Sequence, residues 1–269
     1  MSVLTVEGQQ YAGMKPAEFR EIARRGEYTG NTRDVCRGYA RFAVAIMPRE
    51  YALDFFMLSQ RQPATFPIID VTDPGSPHPG QTAPRGDLRT DLTSYHVFVN
   101  GKLEAEVNDI TSYWRDDLVG FLTGCSVGFD SALEAAGIQF RLLGVYNTDR
   151  QMSGGRLHGT MRTTGRLVKG GRDVVRTIHI ASRYPAYHGA PIHVGDPALI
   201  DIKDLYHPDV FAMREAIPPR EPDEVPMFWG CGMSLKSVAM ESKIPLLITD
   251  GVAAMFVTDL KESDLAIIP

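Results

Sequence analysis

Cysteine is scarce. Cys36, Cys125 and Cys231 are the only three in 269 residues, odd in number and widely spaced, which argues against a disulfide framework and against a structural zinc site built on close Cys pairs. Reduced thiols are expected. Long apolar runs are also missing: Phe42 to Met47 and Val252 to Val257 are one short element each, against the roughly 18–20 residues a membrane helix requires. No membrane span is expected. Positive charge is not in excess either, since 28 Lys and Arg face 33 Asp and Glu for a net charge of −5, the wrong sign for nucleic acid. The beginning of the chain, with Glu7, Lys15 and Glu18, lacks the charged-then-apolar order of a secretory signal, so a cytoplasmic location is expected. Repeats and low-complexity tracts are absent. What is present is an ordinary folded composition, 43 % hydrophobic and 23 % charged, in a length suited to one or two domains.

Residues 16–60 read as helical: Pro16 suits a first turn, Phe19, Ile22 and Ala23 recur at helical spacing, the apolar stretch Tyr39 to Met47 ends at Pro48, and Ala52 to Leu58 continues beyond it. Phe66 to Val71 is a β-type run, followed by a Pro- and Gly-rich loop over 73–80. Asn100-Gly101 between His96–Asn100 and Lys102–Val107 signals a tight hairpin. Asp116 to Leu122 and Ala132 to Ala136 read as helical. Phe140 to Tyr146, Arg156 to Arg162 and Val174 to Ile180 suggest a small antiparallel unit, an inserted subdomain over 138–189 between main-domain segments 1–137 and 190–269. From Gly189 onward, β-runs (198–202, 227–230, 245–249, 256–259) alternate with helical material at 234–242, favouring an α/β layer.

Four places carry candidate chemistry. Tyr187 to Pro197 concentrates His188, His193 and Asp196 among glycines and prolines, which suits a site wall with groups that move protons near neutral pH; the same residues suit a rigid turn whose imidazoles cap carbonyls. The His188-x4-His193 spacing fixes no third ligand, so no metal is expected. Gly124-Cys125-Ser126 sits at an expected helix N-terminus, where Cys125 and Ser126 could meet an anion or Ser126 could act as an N-cap. Trp229-Gly230-Cys231-Gly232 ends a β-run, a place for ligand contact at the end of a parallel strand or simply for tight packing. Arg89 and Arg183 each pair a carboxylate-binding group with a turn signal, which surface ion pairs explain equally well.

These segments resemble a known family. Arg25-Gly26-Glu27, Asp70 to Gly75, Asp87 to Asp91, Gly124 to Ser126, His188 to Pro197 and Trp229 to Gly232 occur in the order found in the D-glutamate cyclase and hydro-lyase family, and the resemblance spans almost the whole chain. It implies an α/β fold with a three-layer α/β/α part and a smaller two-layer α+β part. It also implies a cofactor-free lyase or cyclase acting on an amino acid or similar small carboxylate, the best-known reaction closing D-glutamate to 5-oxo-D-proline with loss of water. The chain departs from the family pattern near its start, where Gly38-Tyr39-Ala40-Arg41-Phe42-Ala43 replaces Gly-Tyr-x-Gln-x-Asn, at His96, where the family often has Arg, and at two further places. Ile-Thr-His-x-Pro-Gly-His-Met is replaced by Ile248-Thr249-Asp250-Gly251-Val252-Ala253-Ala254-Met255, and the Thr-Pro-Gln after the Cys-Gly pair by Ser234-Leu235-Lys236. Both family histidines are gone, which puts glutamate cyclisation in doubt. An alternative is a branch similar to bacterial Pictet–Spengler cyclases, which join tryptophan to an aldehyde; Glu106 would be the base, His96 its partner across the hairpin and Ser126 a contact for the substrate carboxylate. Glu104 and Glu106 facing water is the simpler reading of that hairpin. A third possibility is an inactive protein that binds small carboxylates. A homodimer is expected by frequency alone.

Overall fold

The computed structural model describes residues 8–212 and 216–267. Helix α1 (Pro16–Arg24) opens on Pro16, where a missing amide hydrogen costs nothing, and buries Phe19 and Ala23. The run expected to continue as helix is strand β1 (Tyr39–Pro48). Phe42, Val44 and Ile46 face one core while Ala45 and Met47 face another. With both faces buried, the polar alternation that marks a strand is lost. Helix α2 (Ala52–Arg61) and strand β2 (Ile68–Val71) follow as expected. So does the hairpin of β3 (Tyr95–Val99) and β4 (Lys102–Val107), whose turn holds Asn100 at φ 48° and Gly101 at φ 81°.

The expected helix over 116–122 is instead strand β5 (Leu118–Thr123), all six residues buried between β1 and β2. A short 3₁₀ turn leads into α3 (Asp130–Ala135), then β6 (Phe140–Gly154) and β7 (Leu157–Lys169) form a long hairpin. The third strand expected at Val174 to Ile180 is part of helix α4 (Gly171–Ser182): Val174, Thr177 and Ala181 are buried at helical spacing while Val175 is exposed, so burial on one side overrides β-branched composition. After β8 (His193–Val194), the strand expected over 198–202 begins as a 3₁₀ turn, because Pro197 offers no amide and the Asp196 carboxylate accepts from the Ala198 amide at 3.0 Å. Strands β9 (Phe211–Ala212) and β10 (Glu224–Gly230), helix α5 (Ser234–Ser242) and strands β11 (Leu246–Asp250) and β12 (Phe256–Lys261) complete an α/β fold.

Two antiparallel sheets organise it. The first runs β2-β5-β1-β11-β3-β4, with β12 paired to the first half of β1; the second runs β8-β10-β7-β6-β9. The second sheet therefore joins the 138–189 segment to strands lying beyond it. Because β10 is antiparallel to both neighbours, Trp229 and Gly230 do not end a parallel strand as expected, and no parallel-sheet crevice forms there. One face of the first sheet packs under α2 and α5 through Phe55, Leu58, Leu235 and Val238. Its other face meets Val168, Met227 and Trp229 of the second sheet.

Candidate active site

Three strand ends converge beside the middle of β1. Gly124 and Cys125 follow β5, Asp250 ends β11, and the Gly230-Cys231-Gly232 segment leads from β10 into α5. A Cβ on Gly232 would lie 3.2 Å from the Ala43 Cβ and 3.7 Å from the Gly124 carbonyl oxygen, so these segments touch. Asp250 is tied to β1 by the Val44 amide, which donates to its Oδ1 at 3.0 Å.

Lys236 enters this junction from the first turn of α5. It is 8 % exposed, and its Nζ is buried with no hydrogen-bond partner among the described residues. Burial pushes the ammonium down to about 8, nearby Arg162 adds to the shift, and Asp250 opposes it. A cation in the first turn of a helix also faces the positive end of the helix dipole. Asp250 moves the other way, up to about 6, because burial outweighs the Val44 hydrogen bond and the Lys236 charge. An acid and a base thus approach neutrality from opposite sides, the pattern of a proton-transferring pair.

The surroundings are mixed. The Arg162 Nε donates to Asn147 at 3.2 Å and its Nη1 to the Met233 carbonyl at 3.2 Å. Cys125 and Cys231 both feel the Asp250 charge, but burial pushes their thiols up, that of Cys125 to about 12, so they line the site as neutral groups rather than thiolate nucleophiles. Met233, Val252 and Val210 pack against Cys231 and Val145 as an apolar wall. At the rim, His96 stands directly opposite Glu106 on β4 and Thr249 on β11, with its Nε2 3.5 Å from the Glu106 carboxylate. Burial and the Lys236 charge push His96 down to about 4, so the imidazole is neutral; Glu106 is largely in solvent.

Of the residues singled out in the sequence, the fold gathers Cys125, Cys231, His96 and Glu106 around Lys236 and Asp250. Ser126, Trp229 and His188 form a layer behind them, organised by the fully buried Arg166. Its Nη2 donates to the Ser126 carbonyl at 2.8 Å and to Asp130 at 2.7 Å, and its guanidinium lies 4.6 Å from the Phe129 ring centre and 4.9 Å from that of Trp229. Ser126 is not an N-cap: it lies inside the 3₁₀ turn that Cys125 precedes. Trp229 Nε1 donates to the Gly189 carbonyl at 3.1 Å. His188 Nδ1 lies 3.0 Å from the Ala64 carbonyl, which can only accept, so Nε2 carries the lone pair and has no partner among the described residues. Burial holds this imidazole neutral, down at about 4.

The remaining four stand apart. His193 Nε2 donates to the Asp196 carbonyl at 2.7 Å, and Asp196 is spent capping the Pro197 turn. Arg89 is clamped by Asp87, and exposed Arg183 reaches the Ile267 carbonyl. Hollows lie elsewhere among the described residues, and two of them are less suited to chemistry. In one, of about 210 Å³, Arg33, Arg37 and Arg41 are already paired to Asp130, Asp34 and Glu262. The other, of about 470 Å³ between Pro63, Pro67 and Pro185, has His188 as its one titratable side chain. Lys236, Asp250 and Arg162 were not among the expected site residues, although Lys236 and Asp250 occupy two of the stretches where the chain departs from the family pattern.

Comparison with known proteins places these residues in context. The family model described as "D-glutamate cyclase" matches residues 119–259, which include Cys125, Arg162, Cys231, Lys236 and Asp250. A protein described as "Putative hydro-lyase" from Stutzerimonas stutzeri (strain A1501) is 43 % identical over 96 % of this chain and 98 % of its own length. Similarly described proteins from Thermoanaerobacter sp. (strain X514) and Rubrobacter xylanophilus are each 42 % identical, over 95 % and 92 % of this chain and 97 % and 96 % of their own lengths.

Proposed function

Because the chain belongs to the D-glutamate cyclase family, we propose that it is a lyase or cyclase that removes water from a small carboxylate, with Lys236 and Asp250 as its acid–base pair. The observation that carries this reading is the buried, unpartnered Lys236 ammonium sharing a junction with a carboxyl group held near neutrality. In a cyclising dehydration, an amine of the substrate attacks its own distal carboxyl carbon. Asp250, ionised, takes the proton that the amine must lose. Lys236, protonated, gives a proton to the departing hydroxyl, which leaves as water. Arg162 is positioned for the substrate's other carboxylate, and the apolar wall of Met233 and Val252 keeps bulk water from reversing the reaction. His96 and Glu106 stand at the solvent end of Lys236, where protons can be exchanged.

The test is mass spectrometry of the purified protein incubated with D-glutamate and with a panel of short amino dicarboxylates. Loss of water from at least one, abolished in Asp250→Asn, is expected. Turnover of L-tryptophan with an aldehyde to a fluorescent β-carboline, with no dehydration, would replace this reading by the Pictet–Spengler one. Saturable binding with no reaction would leave an inactive carboxylate-binding protein.

A further inference from the structure

We propose that Lys236 is also a nucleophile, forming an imine with the carbonyl carbon of a 2-oxo acid whose carboxylate Arg162 holds. The inference goes beyond the dehydration reading, because it assigns covalent chemistry to the same amine and a different class of substrate to the same junction. Its basis is an unmet demand. A buried ammonium with neither hydrogen bond nor ion pair among the described residues is costly in a dry interior. Removing the proton relieves that cost and leaves a free amine lone pair. The Nζ of Lys236 makes no hydrogen bond to any described residue that would occupy this lone pair.

The groups around it suit a 2-oxo acid. Arg162 is fixed at Nε by Asn147 and at Nη1 by the Met233 carbonyl, while its Nη2 makes no hydrogen bond among the described residues. A guanidinium held this way can receive a carboxylate without first being ordered. Asp250 is anchored through Oδ1 alone, so its Oδ2 can carry and deliver a proton. Met233, Val210 and Val252 leave an apolar wall for a short side chain.

The step balances without an oxidant or reductant. The amine adds to the carbonyl carbon and the C=O π electrons move to oxygen, which takes a proton from Asp250. The adduct nitrogen, now an ammonium, gives one of its protons back to the Asp250 carboxylate, which passes it to the carbinolamine hydroxyl; this departs as water while the nitrogen lone pair closes the C=N bond. The nitrogen proton returns to Asp250 or stays to leave an iminium.

The experiment is reductive trapping of the full chain with pyruvate and sodium cyanoborohydride, followed by digestion and peptide mapping. One reduced pyruvate adduct concentrated on Lys236 is expected, its yield climbing as pH is raised from 6 to 9. Lys236→Arg, checked for native circular dichroism, removes it. Arg162→Gln raises the pyruvate concentration for half-maximal trapping by about tenfold or more, with little change for acetone, which has no carboxylate. Unmodified Lys236 at saturating pyruvate, or adducts scattered over surface lysines in proportion to their exposure, overturns the proposal, and this wild-type result needs no variant to fold. Water loss from an amino dicarboxylate without trapping would sink the imine and leave the dehydration reading standing. Trapping without water loss would do the reverse.

Discussion

Lys236 stands where a cation is least welcome: the first turn of a helix, in a dry environment, with Arg162 nearby. Function is the physical reason to keep it. Lys236→Met, close in volume and apolar, is expected to raise stability at pH 7 by on the order of 2 kcal/mol while cutting dehydration by roughly 10²–10⁴-fold; denaturant titration and the product assay check the two together. The pH profile follows from the pair. Turnover should climb through about 6 as Asp250 ionises and fall through about 8 as Lys236 loses its proton, and Asp250→Asn should abolish the profile along with the activity. The two buried histidines make a separate prediction about stability. His96 and His188 stay neutral down to about 4 in the folded chain but take up protons near 6.5 when unfolded, so the unfolded state binds more protons between those values. Stability should be intact above pH 6.5 and decline as pH falls toward 4, and His188→Asn should flatten that decline in urea titrations. The thiols and imidazoles of this site were legible as chemistry-bearing residues in glycine-rich segments. Lys236 and Asp250 were not, because a lone lysine in a helical run and an aspartate after a strand look like solvated charges until burial is known.

Elements differ in how plainly their residues announce them. The β3–β4 hairpin was legible because Asn-Gly meets a local backbone demand that nothing distant alters. β1 and α4 were misread for opposite reasons: β1 is buried on both faces and loses its alternation, whereas α4 is rich in β-branched residues yet keeps one buried side. The β5 end is the most tightly specified stretch near the site. A Cβ on Gly124 would come 2.0 Å from the Ala186 carbonyl oxygen and 2.8 Å from Pro67. Gly124→Ala is therefore expected to cost at least about 2 kcal/mol and to displace either Cys125 or the turn before His188, visible as a lower urea midpoint and a change in the tryptophan fluorescence of Trp229. The same logic shows why the site could not be assembled from sequence: Gly124 and Asp250 come together because β5 and β11 flank β1, and Gly232 is brought to them from β10 of the second sheet, an arrangement that none of the three segments encodes alone.

At the scale of the molecule, the relatives described as "Putative hydro-lyase" from Stutzerimonas stutzeri and Thermoanaerobacter sp. are matched over 98 % and 97 % of their own lengths. The central strand of this chain has an unusual dependence on the rest. β1, complete by residue 48, is paired on one side with β5 and on the other with β11 and β12, so its partners lie about 70 to more than 200 residues further along. Arg20 of α1 is likewise anchored to the Val257 carbonyl and to Asp259. During synthesis on the ribosome, both edges of that strand emerge long before anything can cover one of them, and β12, the partner latest in chain order, closes the seam. A chain stopped at residue 255 should accordingly be recovered in the insoluble fraction, because the first half of β1 would be left with an open edge where β12 belongs.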